Sequence, residues 1–221
     1  MALVYEAHRS RIPMVVIASQ METMTLGTDM PQEVDFKKVY ADCSVFCEQV
    51  HNAEQARRMA VLACKAAVIR QGPAVLILPV DISKTEIKDE VPYSVHFPKP
   101  VRRPNDAELK QAAEIIAQGK KVGIYAGMGS EGAHELLLSL AKKLNAPIAH
   151  TSRAKDFVEY DNPYNVGMTG LLGVSSGFHM MSSCDTLLLL GADFAWGQFY
   201  PQHAKIIQID RDASRLCRRH P

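Results

Sequence analysis

Short, wholly apolar runs alternate along this chain with longer segments whose apolar positions recur at helical spacing. Met14-Val15-Val16-Ile17-Ala18, directly after Pro13, reads as a strand buried on both faces. Residues 53–70 read as a helix with Ala60, Cys64, Ala67 and Val68 on its inward stripe, stopped by Gly72-Pro73. Ala74-Val75-Leu76-Ile77-Leu78 is the next buried strand, and Pro79 closes it. Further on, Asn105 or Asp106 caps a helix through Gln118, with Leu109, Ala112, Ala113 and Ile116 inward and Gly119 past its end. The pattern then predicts a strand at 121–126, a helix at 132–144, a strand at 146–150, a long loop, a helix near 177–183, and strands at 186–190 and 205–209.

Apolar strands between amphipathic helices indicate a parallel sheet covered on both faces. The two halves are separated by a change in composition. Between Asp81 and Asn105 stand Pro92, Pro98, Pro100 and Pro104 among many charges, a density of proline that neither a helix nor a central strand tolerates. The expected organisation is α/β: a doubly wound, Rossmann-like parallel sheet over residues 105–221, preceded by an extended linker at 83–104 and by part of a second α/β domain at 1–82.

Charge and cysteine content narrow the function classes. A net charge of +1 gives no case for a nucleic-acid partner. No apolar run approaches the ~18 residues of a membrane span, and Met1-Ala2-Leu3-Val4-Tyr5-Glu6 lacks the basic and apolar regions of a signal peptide. Cys43 and Cys47 read as neighbours on one helical turn, without companion ligands at metal spacing, so no metal site is expected. The five cysteines read as reduced, mostly buried thiols of a cytoplasmic protein.

Ligands of doubly wound sheets bind beyond the carboxyl ends of the strands, and five signals fall there. The first strand of the second half leads into Gly127-Met128-Gly129-Ser130, where glycines let backbone approach a ligand or simply make a tight turn. The second leads into Ser152-Arg153-Ala154-Lys155, two cations suited to a phosphate or carboxylate, or simply a solvated charged loop. The loop Gly167-Met168-Thr169-Gly170-Leu171-Leu172-Gly173 could lie against a flat ring or be an irregular turn. The third strand ends in Gly191-Ala192-Asp193-Phe194-Ala195-Trp196, and the fourth in Asp210. A carboxylate there accepts from a ribose diol; the alternative is that Asp210 or Asp212 caps the next helix. Ser175, Ser176 and His179 lie close together, but no Gly-x-Ser-x-Gly elbow accompanies them.

Tyr160-Asp161-Asn162-Pro163-Tyr164, Gly167-Met168-Thr169-Gly170, Ser175-Ser176-Gly177-Phe178-His179, Phe199-Tyr200-Pro201 and the 205–210 run resemble the central domain of the thiamine-diphosphate (ThDP)-dependent, FAD-binding enzymes of the pyruvate oxidase group. Arg9-Ser10-Arg11-Ile12-Pro13 and Pro31-Gln32-Glu33 resemble the closing part of that family's pyrimidine-binding domain.

The resemblance implies FAD contacts at Gly127, Gly129, Thr169, Gly170, Leu171, Leu172, Ala192, Asp193, Phe194, Ala195, Trp196 and Asp210, and a substrate-facing Gln32. It implies oxidative decarboxylation of pyruvate to acetate and CO2, with electrons passing through FAD to a membrane quinone, and with ThDP and Mg2+ held largely by other regions. A homo-oligomer, dimeric or tetrameric, is expected, cytoplasmic or peripheral at the inner membrane. Neither the family's activating glutamate nor its Gly-Asp-Gly magnesium motif occurs here, and Pro31 stands where relatives carry an aromatic residue. The expectation is therefore a fragment that is inactive alone. An acetolactate synthase-like carboligase and a non-catalytic nucleotide-binding module are the alternatives.

Overall fold

The computed structural model describes residues 1–88, 95–97 and 101–220, in two compact units, Met1–Pro100 and Val101–Pro221. Each is an α/β layer with parallel strands. In the first unit, helix α1 (Ala2–Ser10) leads to strand β1 (Met14–Gln20); α2 (Phe36–Val39), β2 (Phe46–Gln49), α3 (Ala53–Arg70), β3 (Pro73–Pro79) and α4 (Val80–Ser83) follow. The strands pair in the order β1-β3-β2, all parallel. β3 is central and buried on both faces. Ala74 and Leu76 pack toward α3, while Val75 and Ile77 join Ala18, Phe36 and Tyr40 on the opposite face.

α3 begins where Asn52 accepts the Gln55 N–H and ends where Gln71 turns left-handed. Its buried positions are Ala53, Ala63 and Ala67. Ala60 and Cys64 are only half-buried and Val68 is exposed, so the inward stripe lies partly beside the one that periodicity selected. The buried positions of α3 are all alanines, and Ala56, Met59 and Ala60 are partly buried against the same core. Cys47 lies in β2 and Cys43 in the turn before it, so the two do not share a helical turn. The half-buried, four-residue β2 was too short to register as a strand.

Of the proline-rich stretch, Pro92, Pro98 and Pro100 lie outside the described residues. The described parts after Ser83, namely 84–88, 95–97 and 101–105, form neither helix nor strand.

In the second unit, α5 (Asp106–Gln118) opens with a capping box: Asn105 accepts the Glu108 N–H and the Glu108 carboxylate accepts the Asn105 N–H. Then come β4 (Val122–Ala126), α6 (His134–Leu144), β5 (Ile148–His150), α7 (Lys155–Val158), β6 (Asn165–Met168), α8 (Ser175–Ser183), β7 (Thr186–Leu190) and β8 (Lys205–Ile209). Leu109 and Ala113 of α5 are exposed, and Ala112, Ile115 and Ile116 make the contact with the sheet. The expected long loop contains both α7 and β6, an edge strand too polar to stand out.

All five strands are parallel, in the order β6-β5-β4-β7-β8. Side chains alternate across the sheet as the pleat requires. Ile124, Ala126, Ile148, Leu188 and Ile207 face α5, α6 and α7, while Tyr125, Ala149, Leu187 and Leu189 face α8. The unit is therefore doubly wound. Strand order reverses between β4 and β7, so the crevice that such folds use for ligands opens between the loops after those two strands. No helix among the described residues is long and apolar enough to cross a membrane.

Candidate functional site

The loops after β4 and β7 are built for mutual contact. Gly127 N–H donates to Leu190 O and Gly129 N–H to Gly191 O, each at 2.9 Å. Gly191 has φ 59°, and a β-carbon on it would lie 2.5 Å from Gly129 Cα and 2.7 Å from Ser130 N. A β-carbon on Gly129 would lie 2.7 Å from Gly191 Cα. These glycines let two backbones touch at the switch point. The amides of Gly127 and Gly129, expected to face a ligand, are spent inside the protein.

The second wall is the loop after β6. Gly167 and Gly170 take φ values of 83° and 126°, Gly173 N–H closes on Gly170 O (3.0 Å) and Val174 N–H on Met168 O (2.8 Å). Gly177 of α8 lies against the Met168 carbonyl; a β-carbon there would be 2.8 Å away, so this glycine lets the helix seat against β6. Inside this loop Thr169 is 4% exposed. Its N–H reaches His150 O (3.4 Å) and its carbonyl accepts from Tyr125 Oη (3.5 Å), yet its buried Oγ1 has no hydrogen-bond partner. A buried hydroxyl without a partner costs about 1–3 kcal/mol. A polar atom of a bound molecule would remove that cost.

Around Thr169 the surface is apolar: Leu171 and Leu172 are exposed, as are Trp196 and Ala195 of the loop after β7. Phe194 is buried beneath, its ring 4.9 Å from that of Tyr125 and 5.8 Å from that of Tyr200. The Tyr200 hydroxyl donates to Phe194 O (2.8 Å), and burial pushes its pKa up to about 12. Ala192 is buried beside the same cluster.

The carboxylates differ in use. Burial raises the Asp193 pKa, but hydrogen bonds from Arg219 and Arg215 outweigh it and hold the group below the usual carboxylate range. Arg219 Nε lies 2.8 Å and Arg218 Nη1 3.7 Å from this carboxylate, and Arg215 binds it directly. Asp210, just past β8, accepts the Asp212 N–H with one oxygen (2.9 Å). Asp212, not Asp210, caps the short turn Ala213–Arg215 by accepting from Ser214 N. Lys155, one of the two cations expected to serve a phosphate, pairs with Glu159 at 3.2 Å. Ser176 donates to Val166 O and His179 is exposed, so the serines and histidine of α8 form no nucleophile–base pair.

The structure thus brings Thr169–Leu172, Ala192–Trp196, the Gly127/Gly129 turn and Asp210 to one end of one sheet. Gln32 belongs to the first unit, exposed on the loop after β1 that is pinned by Thr23 on Asp81 and by Gln20 Nε2 on Val34 O. The arginines that hold Asp193 escaped the sequence reading, because nothing local links positions 193 and 215–219. The set fits a flavin nucleotide through an orphaned hydroxyl, an apolar platform and a carboxylate at the last strand end.

Residues 109–221 match the family described as thiamine pyrophosphate enzyme, central domain. The chain is 42% identical over 217 residues to an uncharacterized 42.6 kDa protein in the isoamylase 3′ region of Pseudomonas amyloderamosa, covering 97% of this chain and 55% of that protein. It is 32% identical over 218 residues to Bacillus subtilis YdaP, provisionally described as a thiamine pyrophosphate-containing protein (98% of this chain, 38% of YdaP). It is 30% identical over 214 residues to the acetolactate synthase isozyme 2 large subunit of Escherichia coli K12 (93% and 38%). The chain spans about half or less of the length of these relatives. It belongs to the thiamine pyrophosphate enzyme family, with that family's central domain in its second, doubly wound unit.

Proposed function

We propose that the second unit holds FAD across the carboxyl ends of β4–β8, and that the whole protein is a ThDP-, Mg2+- and FAD-dependent enzyme acting on pyruvate. The first reading is oxidative decarboxylation to acetate and CO2 with electrons leaving to a quinone. Bound FAD would supply the electron-accepting ring. This chain's residues would bind and orient it: Thr169 through its free hydroxyl, Leu171, Leu172 and Trp196 through apolar contact, and Asp210 through a ribose hydroxyl. The observation that carries the reading is the buried, unpartnered Thr169 Oγ1 within a glycine-built loop beside the switch point. The acetolactate synthases among the relatives favour a second reading, carboligation of pyruvate, in which the same site serves FAD.

Flavin-fluorescence titration of the whole protein tests the site. Losing a hydrogen bond to a charged acceptor costs ~1.5–3 kcal/mol, so Asp210→Ala should weaken FAD binding roughly ten- to a hundred-fold, and Asp210→Asn less. Unchanged affinity in Asp210→Ala overturns the ribose role. Anaerobic bleaching of the flavin by pyruvate, with ThDP and Mg2+ present, supports the oxidative reading; acetolactate formation without net flavin reduction supports carboligation.

A further inference from the structure

The amino ends of the strands in the second unit carry a groove that the proposed flavin site does not use. It opens between the ends of α6 and α8, where the chain enters β4 and β5, and its volume is about 530 Å3. Small-molecule sites run ~300–1,000 Å3. The Thr169 loop lies at the other end of the same sheet. β4 has five residues, and at ~3.3 Å per residue the two ends stand roughly 15 Å apart.

The walls of the groove are apolar. Val122, Leu144 and Pro147 line it half-buried, and Met180 and Cys184, at the end of α8, line it as buried residues. The Cys184 thiol donates to Met181 O at 3.4 Å, and burial pushes its pKa up to about 11, so this wall carries no charge. The Met180 wall is fixed in place. A β-carbon on Gly123 would lie 2.4 Å from Met180 Sδ, so α8 is seated hard against β4 here.

The rim is cationic. Lys120 and Lys121 line the groove and are exposed, and Lys142 and Lys143 stand in the last turn of α6, next to Leu144. Asp185 follows Cys184, but its carboxylate already accepts the N–H groups of Lys120 and Lys121 and the Thr186 hydroxyl, each at 3.0 Å. The amines of Lys121, Lys142 and Lys143 have no hydrogen bond or ion pair among the described residues. The carbonyl end of α6 attracts Lys142 and Lys143. Lys120 and Lys121 still leave positive charge standing over an apolar trough.

A trough of this kind suits a molecule with two parts. A bare anion would leave the walls wet, and a neutral apolar molecule would leave the ammonium groups unpaired. We propose that the groove binds an amphipathic anion, a medium-chain carboxylate whose chain lies along Met180, Leu144 and Pro147 and whose carboxylate meets Lys120 and Lys121. The groove shares no residue with the proposed flavin site, so the two stand or fall separately. The rival account is that the lysine stems themselves cover the apolar walls and nothing binds.

Decanoate, titrated below its micelle concentration into the whole chain and followed by the 13C-methyl signals of the methionines, separates the two. Met180→Leu assigns the Met180 signal. That signal should shift saturably, while the Met128 signal and Trp196 fluorescence, both reporting on the other end of the sheet, stay unchanged. Acetate and 1-decanol should each bind about tenfold more weakly or worse. Lys120→Gln/Lys121→Gln changes exposed side chains only. It should weaken decanoate several-fold and remove most of the salt sensitivity that the unaltered chain shows on raising ionic strength to ~1 M, where charges are screened beyond ~3 Å. Ser183→Phe places a ring in the groove from a lining position and should weaken binding about tenfold. If its thermal melt shifts, the lysine variant decides alone. No saturable shift at Met180, a response at Trp196 in its place, 1-decanol or acetate binding as well as decanoate, or full affinity in the lysine variant would each overturn the proposal.

Discussion

Replacing Gly191 by alanine tests whether the two switch-point loops are held apart by the thickness of a backbone alone. The residue sits at φ 59°, so any side chain there pays the left-handed penalty, about 1–2 kcal/mol. The new β-carbon would also lie 2.5 Å from Gly129 Cα, whereas carbon atoms rest at ~3.5–4.0 Å. The loops must part by roughly 1 Å, and overpacking of that kind costs about 1–3 kcal/mol. Parting them strains the Gly129 N–H to Gly191 O bond, present at 2.9 Å. The expected loss is about 2–5 kcal/mol, a large share of the ~5–15 kcal/mol of a typical domain. Trp196, the single tryptophan, lies five residues away and reports urea unfolding of this unit by fluorescence. Gly129→Ala meets the same overlap from the other side without a positive φ, so it should cost about 1–3 kcal/mol. Because one parting accommodates both methyls, the double mutant should cost less than the sum. A Gly191→Ala loss under ~1 kcal/mol, or strict additivity with Gly129→Ala, would refute the close-packing account.

Two further outcomes are expected. Cys217 is exposed and holds φ 57°, so Cys217→Gly should stabilise the unit by up to about 1 kcal/mol in thermal melts; a fall in stability would mean its side chain is needed. Asp193→Ala leaves Arg215, Arg218 and Arg219 without their shared carboxylate, so it should cost about 1–3 kcal/mol and speed tryptic cleavage after these arginines. Since the Asp193 pKa is lowered, that stabilisation is present above the usual carboxylate range and should fade as pH falls through the lowered value, so wild type and Asp193→Ala should converge in acid.

The central sheet was legible because its inner strands, buried on both faces, are written as apolar runs such as residues 187–190, and because helix caps such as Asn105 are local chemistry. The edges were not. β6 carries Asn165 and Gly167, and β2 carries Glu48 and Gln49; each becomes a strand only when a neighbour pairs with it. Helix faces were misjudged where the seating of the helix on the sheet decides which residue is covered: alanines fill the buried positions of α3, and Ile115 rather than Leu109 packs on the α5 side. The loops at the strand ends could be located, but the partners inside them could not. Asp193 with Arg215 and Arg219, and His150 with Glu159, meet through turns whose course no spacing announces.

The glycines show most clearly why a motif needs its surroundings. In sequence, Gly127-x-Gly129 ahead of a helix suggests backbone N–H groups offered to an anion. In the folded unit both amides are bonded to the β7 end, at Leu190 O and Gly191 O, and the absent side chains serve loop-to-loop contact. The same crowding gives the turn a different use. By closing the gap between β4 and β7 it forms a rigid floor, and the polar group left without a partner stands not in this turn but on the neighbouring loop, at Thr169. A molecule bound at this end of the sheet would rest on the packed glycines and be recognised beside them. Substitutions at Gly129 should therefore act on ligand affinity through stability, whereas Thr169→Val should leave the fold intact and change affinity alone, since it removes a hydroxyl that no protein group satisfies.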